Sequence, residues 1–103
     1  MSQYEIKAVE TIAAGPGVLV REFTFAPGEA TPWHSHSQMT DRSYGLTGAV
    51  TLERREGPSV TLAPGLVADV PVGAIHRLVN HGSEDGRVLL VQAGGRYDFR
   101  EET

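Results

Sequence analysis

Residues 28–48 read GEATPWHSHSQMTDRSYGLTG, with two histidines, His34 and His36, two positions apart and a carboxylate at Asp41. Successive side chains on a β-strand point to opposite faces, so His34 and His36 share a face and can converge on one ion. A helix would separate them. The stretch is therefore read as a strand over 31–36, a polar loop over 37–40 and a second strand over 41–47. Strict alternation from Asp41 places Ser43, Gly45 and Thr47 on the inward face with it, and Arg42, Tyr44 and Leu46 outward.

Outward from this stretch the chain reads as short strands punctuated by Gly and Pro. Upstream, Tyr4, Ile6 and Ala8 on to Ile12 suggest a first strand, and Ala14-Gly15-Pro16-Gly17 a turn. Val18 to Phe25 follows as a strand covered at least partly on both faces, closed by Ala26-Pro27-Gly28. Downstream, Ala49 to Arg55 pairs with Ser59 to Leu62 across Glu56-Gly57-Pro58. Leu66 to Val70, Ile75 to Asn80 and Arg87 to Ala93 complete the set. No segment holds a 3.6-residue apolar period over a helix length. The fold class is all-β, a sandwich or small barrel of antiparallel strands.

Composition limits the functions. With 103 residues, 40% hydrophobic and 21% charged, the chain is expected to form one domain over 1–103. Nine Lys and Arg against thirteen Asp and Glu give a net charge of −4 with no basic run. That leaves no electrostatic footprint for nucleic acid or an anionic membrane. The absence of cysteine excludes disulfides, thiolate ligands and a cysteine nucleophile, so any metal must use nitrogen and oxygen. The opening MSQYEIKAVE carries charge where a signal peptide needs an apolar run, and no apolar stretch is long enough to span a bilayer. A cytoplasmic location is expected. No G-x-S-x-G, Walker-type loop, HExxH or GxGxxG occurs.

Two separated motifs resemble those of the cupin superfamily. In the first, Gly28, His34, His36, Asp41 and Gly48 stand at the places of G, five residues, HxH, three or four residues, Glu, six residues, G. In the second, Gly65, Pro71, Gly73, His76 and Asn80 match every position of G, five residues, P, one, G, two, H, three, N. The short intermotif segment, Ala49 to Pro64, and the ending VQAGGRYDF are similar to those of small single-domain bacterial cupins. The resemblance implies a small antiparallel β-barrel, or jelly roll, with a metal inside one mouth, commonly assembled as a homodimer. It carries His34, His36 and His76 over as metal ligands. Imidazole nitrogens suit divalent Fe, Zn, Ni or Cu, and Mn is also accommodated in such chemistry.

Asp41 departs from the pattern, being one methylene shorter than the usual Glu. Either it completes a three-His, one-carboxylate set, or it stands off and bonds a metal-bound water or a ligand histidine. A free Asp41 is also the one general base in view, and so the candidate catalytic residue. Small inward residues beside a metal suggest a substrate cavity, although side chains of the opposite sheet can fill the space, and a β-bulge would reverse the assignment downstream. Trp33 and Tyr97 are placed near a mouth, with core or dimer-interface roles as the alternative. Gln38 and Met39 line an entrance or a solvated loop, His81 is exposed, Asn80 shapes a turn, and Arg54-Arg55 is a solvated hairpin tip. Three functions follow: a metalloenzyme on a small organic molecule (oxygenase, isomerase or lyase), a non-catalytic small-molecule-binding or sensory cupin, and a barrel that no longer needs metal. The fold class hosts all three.

Overall fold

The computed structural model describes residues 4–103. Every regular element among them is a strand: β1 (Ala8–Gly15), β2 (Val18–Phe25), β3 (His34–Ser35), β4 (Thr40–Thr47), β5 (Val50–Arg54), β6 (Val60–Leu62), β7 (Val67–Val70), β8 (His76–Asn80), β9 (Gly86–Ala93) and β10 (Arg100–Glu101). They form two five-stranded antiparallel sheets, ordered β1-β2-β9-β4-β7 and β10-β3-β8-β5-β6. The sheets face each other as a jelly roll, two ladders rather than one closed cylinder. Among the described residues no helix is long and apolar enough to cross a membrane.

The period-2 pattern of the sequence builds this core. Along β9, Val88, Leu90 and Gln92 turn inward and alternate with half-buried neighbours. On β2, Phe23 and Phe25 do the same, and from the facing sheet Val50, Leu52, Leu62 and Leu78 meet them. Burying a side chain of this size contributes about 1.5–3 kcal/mol. The hairpins fall where Gly and Pro place them: β1 turns into β2 at Pro16-Gly17, where Gly17 adopts φ 73°, a conformation that strains any residue with a Cβ.

Three expectations need correction. The strand expected over 31–36 is ladder-paired as β3 only at His34–Ser35; Ala30 makes an isolated bridge to Val79 before it. Pro32 lacks the N–H that would continue the pairing. The first strand begins at Ala8, not at Tyr4. Thr47 does not face inward: the β4–β9 register shifts between Gly45 and Thr47, and the extra residue turns Thr47 to solvent.

Gly45 does face inward, but it opens no cavity. A Cβ there would lie 2.3 Å from the Ala63 carbonyl oxygen and 2.4 Å from that of Leu62. Gly45 N–H donates to Leu66 O at 2.9 Å, and Gly65 N–H to Gly45 O at 3.0 Å. Glycine at this position lets the segment between β6 and β7 lie against β4, so backbone fills the space that the small residue leaves.

Candidate metal centre

The four residues singled out from the motifs meet in the interior. His34 on β3 is paired directly with His76 on β8. His36 follows β3 on the same face, and Asp41 reaches in from β4 of the opposite sheet. All four are buried, and one ligand atom from each lies within 4.8 Å of the others. The ring centroids of His34 and His76 are 4.3 Å apart, and those of His34 and His36 5.0 Å. Asp41 Oδ2 lies 2.9 Å from His76 Nε2 and 3.3 Å from His36 Nε2.

The backbone sets the tautomer of each ring. His34 Nδ1 contacts Pro32 O at 2.8 Å, His76 Nδ1 contacts Ala74 O at 2.9 Å, and His36 Nδ1 contacts Asp98 O at 2.5 Å. A carbonyl oxygen only accepts, so all three Nδ1 atoms carry hydrogen and donate. In a neutral ring this leaves the Nε2 lone pair facing the centre, the arrangement that orients metal-binding histidines. Three such lone pairs and a carboxylate then converge, and Asp41 Oδ1 is buried with no hydrogen-bond partner. Four acceptors pointed at one another repel unless a cation or a shared proton lies between them. The donor set, nitrogen and oxygen without sulfur, fits a divalent transition metal.

The titration of these residues expresses the same crowding. Burial, then the nearby His76, pushes the His34 imidazole down to about 4. Burial also opposes charge on His36, but the hydrogen bond and charge of Asp41 outweigh it and raise this histidine. At Asp41 burial favours the neutral acid; hydrogen bonds from His36 and His76 overcome it and hold the carboxyl well below the usual range.

The space above these residues is small, about 10 Å3, room for one water or one ion. Half-buried Tyr4, Arg21, Tyr97 and Phe99 form its outer rim. Phe99 stacks on His34, centroids 4.4 Å apart and planes inclined at 16°. The segment that carries Phe99 is tied to the ligand strand: Ser37 N–H and Oγ–H donate to the Asp98 carboxylate at 2.8 and 2.6 Å, and Ser35 Oγ–H donates to Glu102 at 2.8 Å.

Tyr97 thus lies at the mouth as expected, and Trp33 does not. Its ring lies outside the cavity between the Arg55 and Arg77 guanidiniums, at 4.9 and 4.7 Å. Gln38 accepts from Arg96 N–H at 2.9 Å, and Met39 is buried away from the site. Asn80 shapes its turn, donating to Phe25 O and Glu84 O and accepting from Gly82 N–H. His81 is exposed and contacts Glu53 at 3.0 Å. Arg55 is more than a solvated tip residue, since it stacks on Trp33. Sequence reasoning missed Tyr4, Arg21, Gln92 and Phe99. For Arg21 and Gln92 a signal existed, each being a polar residue at an inward position of an otherwise apolar strand face.

A family model of the cupin domain matches residues 21–92. The chain belongs to the cupin family. Its fold is similar to that of the TT1209 protein of Thermus thermophilus, at TM-score 0.81 and 27% identity over 92% of this chain and 91% of that one. An uncharacterized conserved protein with a double-stranded β-helix domain from Klebsiella pneumoniae superposes at TM-score 0.83 and 20% identity, over 100% of this chain and 90% of that one. A recombinant oxalate oxidase in complex with glycolate shares the fold at TM-score 0.78 and 18% identity, over 91% of this chain and 54% of that one. No curated protein matches the sequence.

Proposed function

We propose that this cupin is a metal-dependent enzyme acting on a small organic molecule, with His34, His36, Asp41 and His76 as the metal ligands. One observation carries the reading: three Nε2 atoms, each oriented by its own Nδ1–carbonyl hydrogen bond, converge with Asp41 Oδ2 in a buried pocket. A bound divalent ion supplies Lewis-acid or redox chemistry there. The chain's own residues do the rest. The Nδ1–H donors hold the rings in place, and the rim of Tyr4, Tyr97 and Phe99 keeps bulk water out. Asp41 Oδ1, without a partner, remains to complete the coordination or to hold a proton at the centre.

Solved relatives named as an oxalate oxidase, DMSP lyases and a sugar phosphate isomerase share the fold at 18–24% identity. They keep O2-dependent redox, lyase and isomerase chemistry all in view. The small closed volume favours one second reading, a non-catalytic cupin that binds or senses a small ligand. Metal analysis of protein grown with Fe, Mn, Ni, Zn or Cu supplements tests the main proposal: about one ion per chain is expected, lost in His76→Ala. No stoichiometric metal under any supplement overturns it. Oxygen uptake and turnover assays with β-dicarbonyl, catecholic and thiol compounds then separate catalysis from sensing. We also propose a homodimer. Its support is the edge strand β1, exposed along all eight residues, with Val9 and Ile12 about half exposed. A monomer mass by light scattering at micromolar concentration overturns it.

A further inference from the structure

We infer that Arg21 is a carboxylate-recognition residue, and that the substrate of this centre is a small carboxylic acid held between the Arg21 guanidinium and the metal. The inference rests on the metal-site reading above, and it comes from a cation inside the cavity that has no anion. Arg21 shares the inward face of β2 with Phe23 and Phe25 and lies opposite Leu90 on β9, where an apolar residue would complete the pattern. Its guanidinium is 5.0 Å from the Phe23 ring and 4.9 Å from the Tyr97 ring. Nη2–H donates to Gln92 Oε1 at 2.8 Å. The Nε atom is buried and has no hydrogen-bond partner.

A half-buried guanidinium needs more than this. It presents five N–H donors, and burying a charge without a counter-ion is costly. Elsewhere in the fold the need is met: Arg77 pairs with Glu53 at 2.7 Å and Arg87 with Glu22 at 2.7 Å. Arg21 has no carboxylate at ion-pair distance among the described residues. Asp41, the one acidic side chain lining the cavity, is turned to His36 and His76 instead. The aromatic rings satisfy the faces of the guanidinium, not its edges. A carboxylate matches what remains, one oxygen on Nε–H and the other on an Nη–H, in the two-point geometry that distinguishes Arg from Lys.

Gln92 joins this cation to the metal site. Its Oε1 accepts from Arg21, and its Nε2 lies 3.4 Å from His36 Nε2. An acid seated on the guanidinium therefore lies beside the metal ligands, where a second donor atom of a short molecule reaches the ion. Asp41 and Arg21 cancel in charge, so a divalent ion leaves the cavity with a net charge near +2, which favours an anion. The closed cavity, about 10 Å3, has room only for one ion or one water, so the acid must be of a few heavy atoms and its entry requires the half-buried rim, Tyr97 included, to give way.

The test uses glycolate as probe and glycolamide as its neutral counterpart. Wild type and Arg21→Gln are loaded with Co2+, the metal content is measured, and the visible Co2+ spectrum is followed during titration. Both proteins are expected to hold about one ion per chain, with glycolate binding weakened about tenfold or more in the variant and glycolamide binding unchanged. Equal glycolate affinity in the two loaded proteins, or no binding to the loaded wild type, overturns the assignment to Arg21. If neither protein takes up Co2+, the metal reading fails on its own. The Arg21 Nε–H resonance of the 15N-labelled metal-free wild type then decides: a saturable shift with glycolate sustains carboxylate recognition, and no shift overturns it. Should Arg21→Gln not fold, Arg21→Lys keeps the charge without the two-point edge, and the same loss is expected.

Discussion

Asp41 Oδ2 and His76 Nε2 lie 2.9 Å apart in the interior, brought together from opposite sheets across 35 positions of sequence. The aspartate, shorter than the usual glutamate of the motif, reaches the histidines without help. Its backbone supplies the reach, because β4 runs close under the site between β9 and β7. Replacing Asp41 by Asn keeps the shape and removes the charge; metal affinity is expected to fall on the order of 100-fold. Asp41→Glu keeps the charge but forces a methylene into a cavity of about 10 Å3, costing about 1–3 kcal/mol of stability. Competition against a chelating indicator, together with thermal melts, checks both. An Asp41→Asn variant that binds metal as tightly as wild type removes Asp41 from the ligand set.

A residue outside the ligand set should matter nearly as much. The Asp98 carbonyl orients His36, and the Asp98 carboxylate is held by Ser37 N–H and Oγ–H. Truncation in Asp98→Ala frees the segment that presents the carbonyl. Metal affinity is expected to drop about 10-fold or more, with stability reduced by only about 1 kcal/mol. Unchanged affinity in a competition titration would show that the carbonyl is held in place without its side chain.

The cluster of His34, His36, Asp41 and His76 was legible because it depends on local spacing. His34 and His36 share a face by strand alternation, and His76 and Asp41 sit at fixed places in the two motifs. Alternation failed at Thr47, where one extra residue in β4 reverses the face, and a bulge carries no composition signal there. Whether the space at Gly45 is open or filled stayed undecided for a related reason: a missing side chain shows in sequence, but the carbonyls that fill the gap belong to residues 62 and 63. Tyr4 and Phe99, from opposite ends of the described chain, lie on irregular segments whose docking no periodicity encodes.

The packing at Gly45 can be tested directly. In Gly45→Ala the new methyl meets two backbone carbonyl oxygens, which cannot swing away as a side chain would. A loss of about 3 kcal/mol or more is expected, lowering the melting temperature by about 10 °C or more for a domain of this size. A melting temperature within a degree or two of wild type would contradict the close approach of this segment to β4.

The acid limb of stability reports on His34 in the metal-free protein. Its folded value of about 4 lies below the ordinary 6.5, owing to burial and to His76, with His36 adding to the effect and Asp41 opposing it. Between these values the unfolded chain takes up a proton at this position and the folded chain does not, so stability falls as pH drops from 6.5 toward 4. His36, raised by Asp41 against its burial, has the opposite sign: its contribution is present at low pH and lost as pH rises through its folded value. Urea midpoints at pH 7 and pH 5 are expected to fall further for wild type than for His34→Asn. Equal losses would place His34 in a more solvated setting than the fold gives it.

The hydrogen bond from His36 to the Asp98 carbonyl spans 62 positions of sequence. During synthesis His34, His36, Asp41 and His76 are all made before the carbonyl that orients His36. A nascent chain can present the histidines to an ion but cannot yet hold them in their final geometry. On the proposed metal-site reading, selective uptake falls to the completed fold and follows translation, so the ion bound would be decided by what the finished protein meets in its compartment.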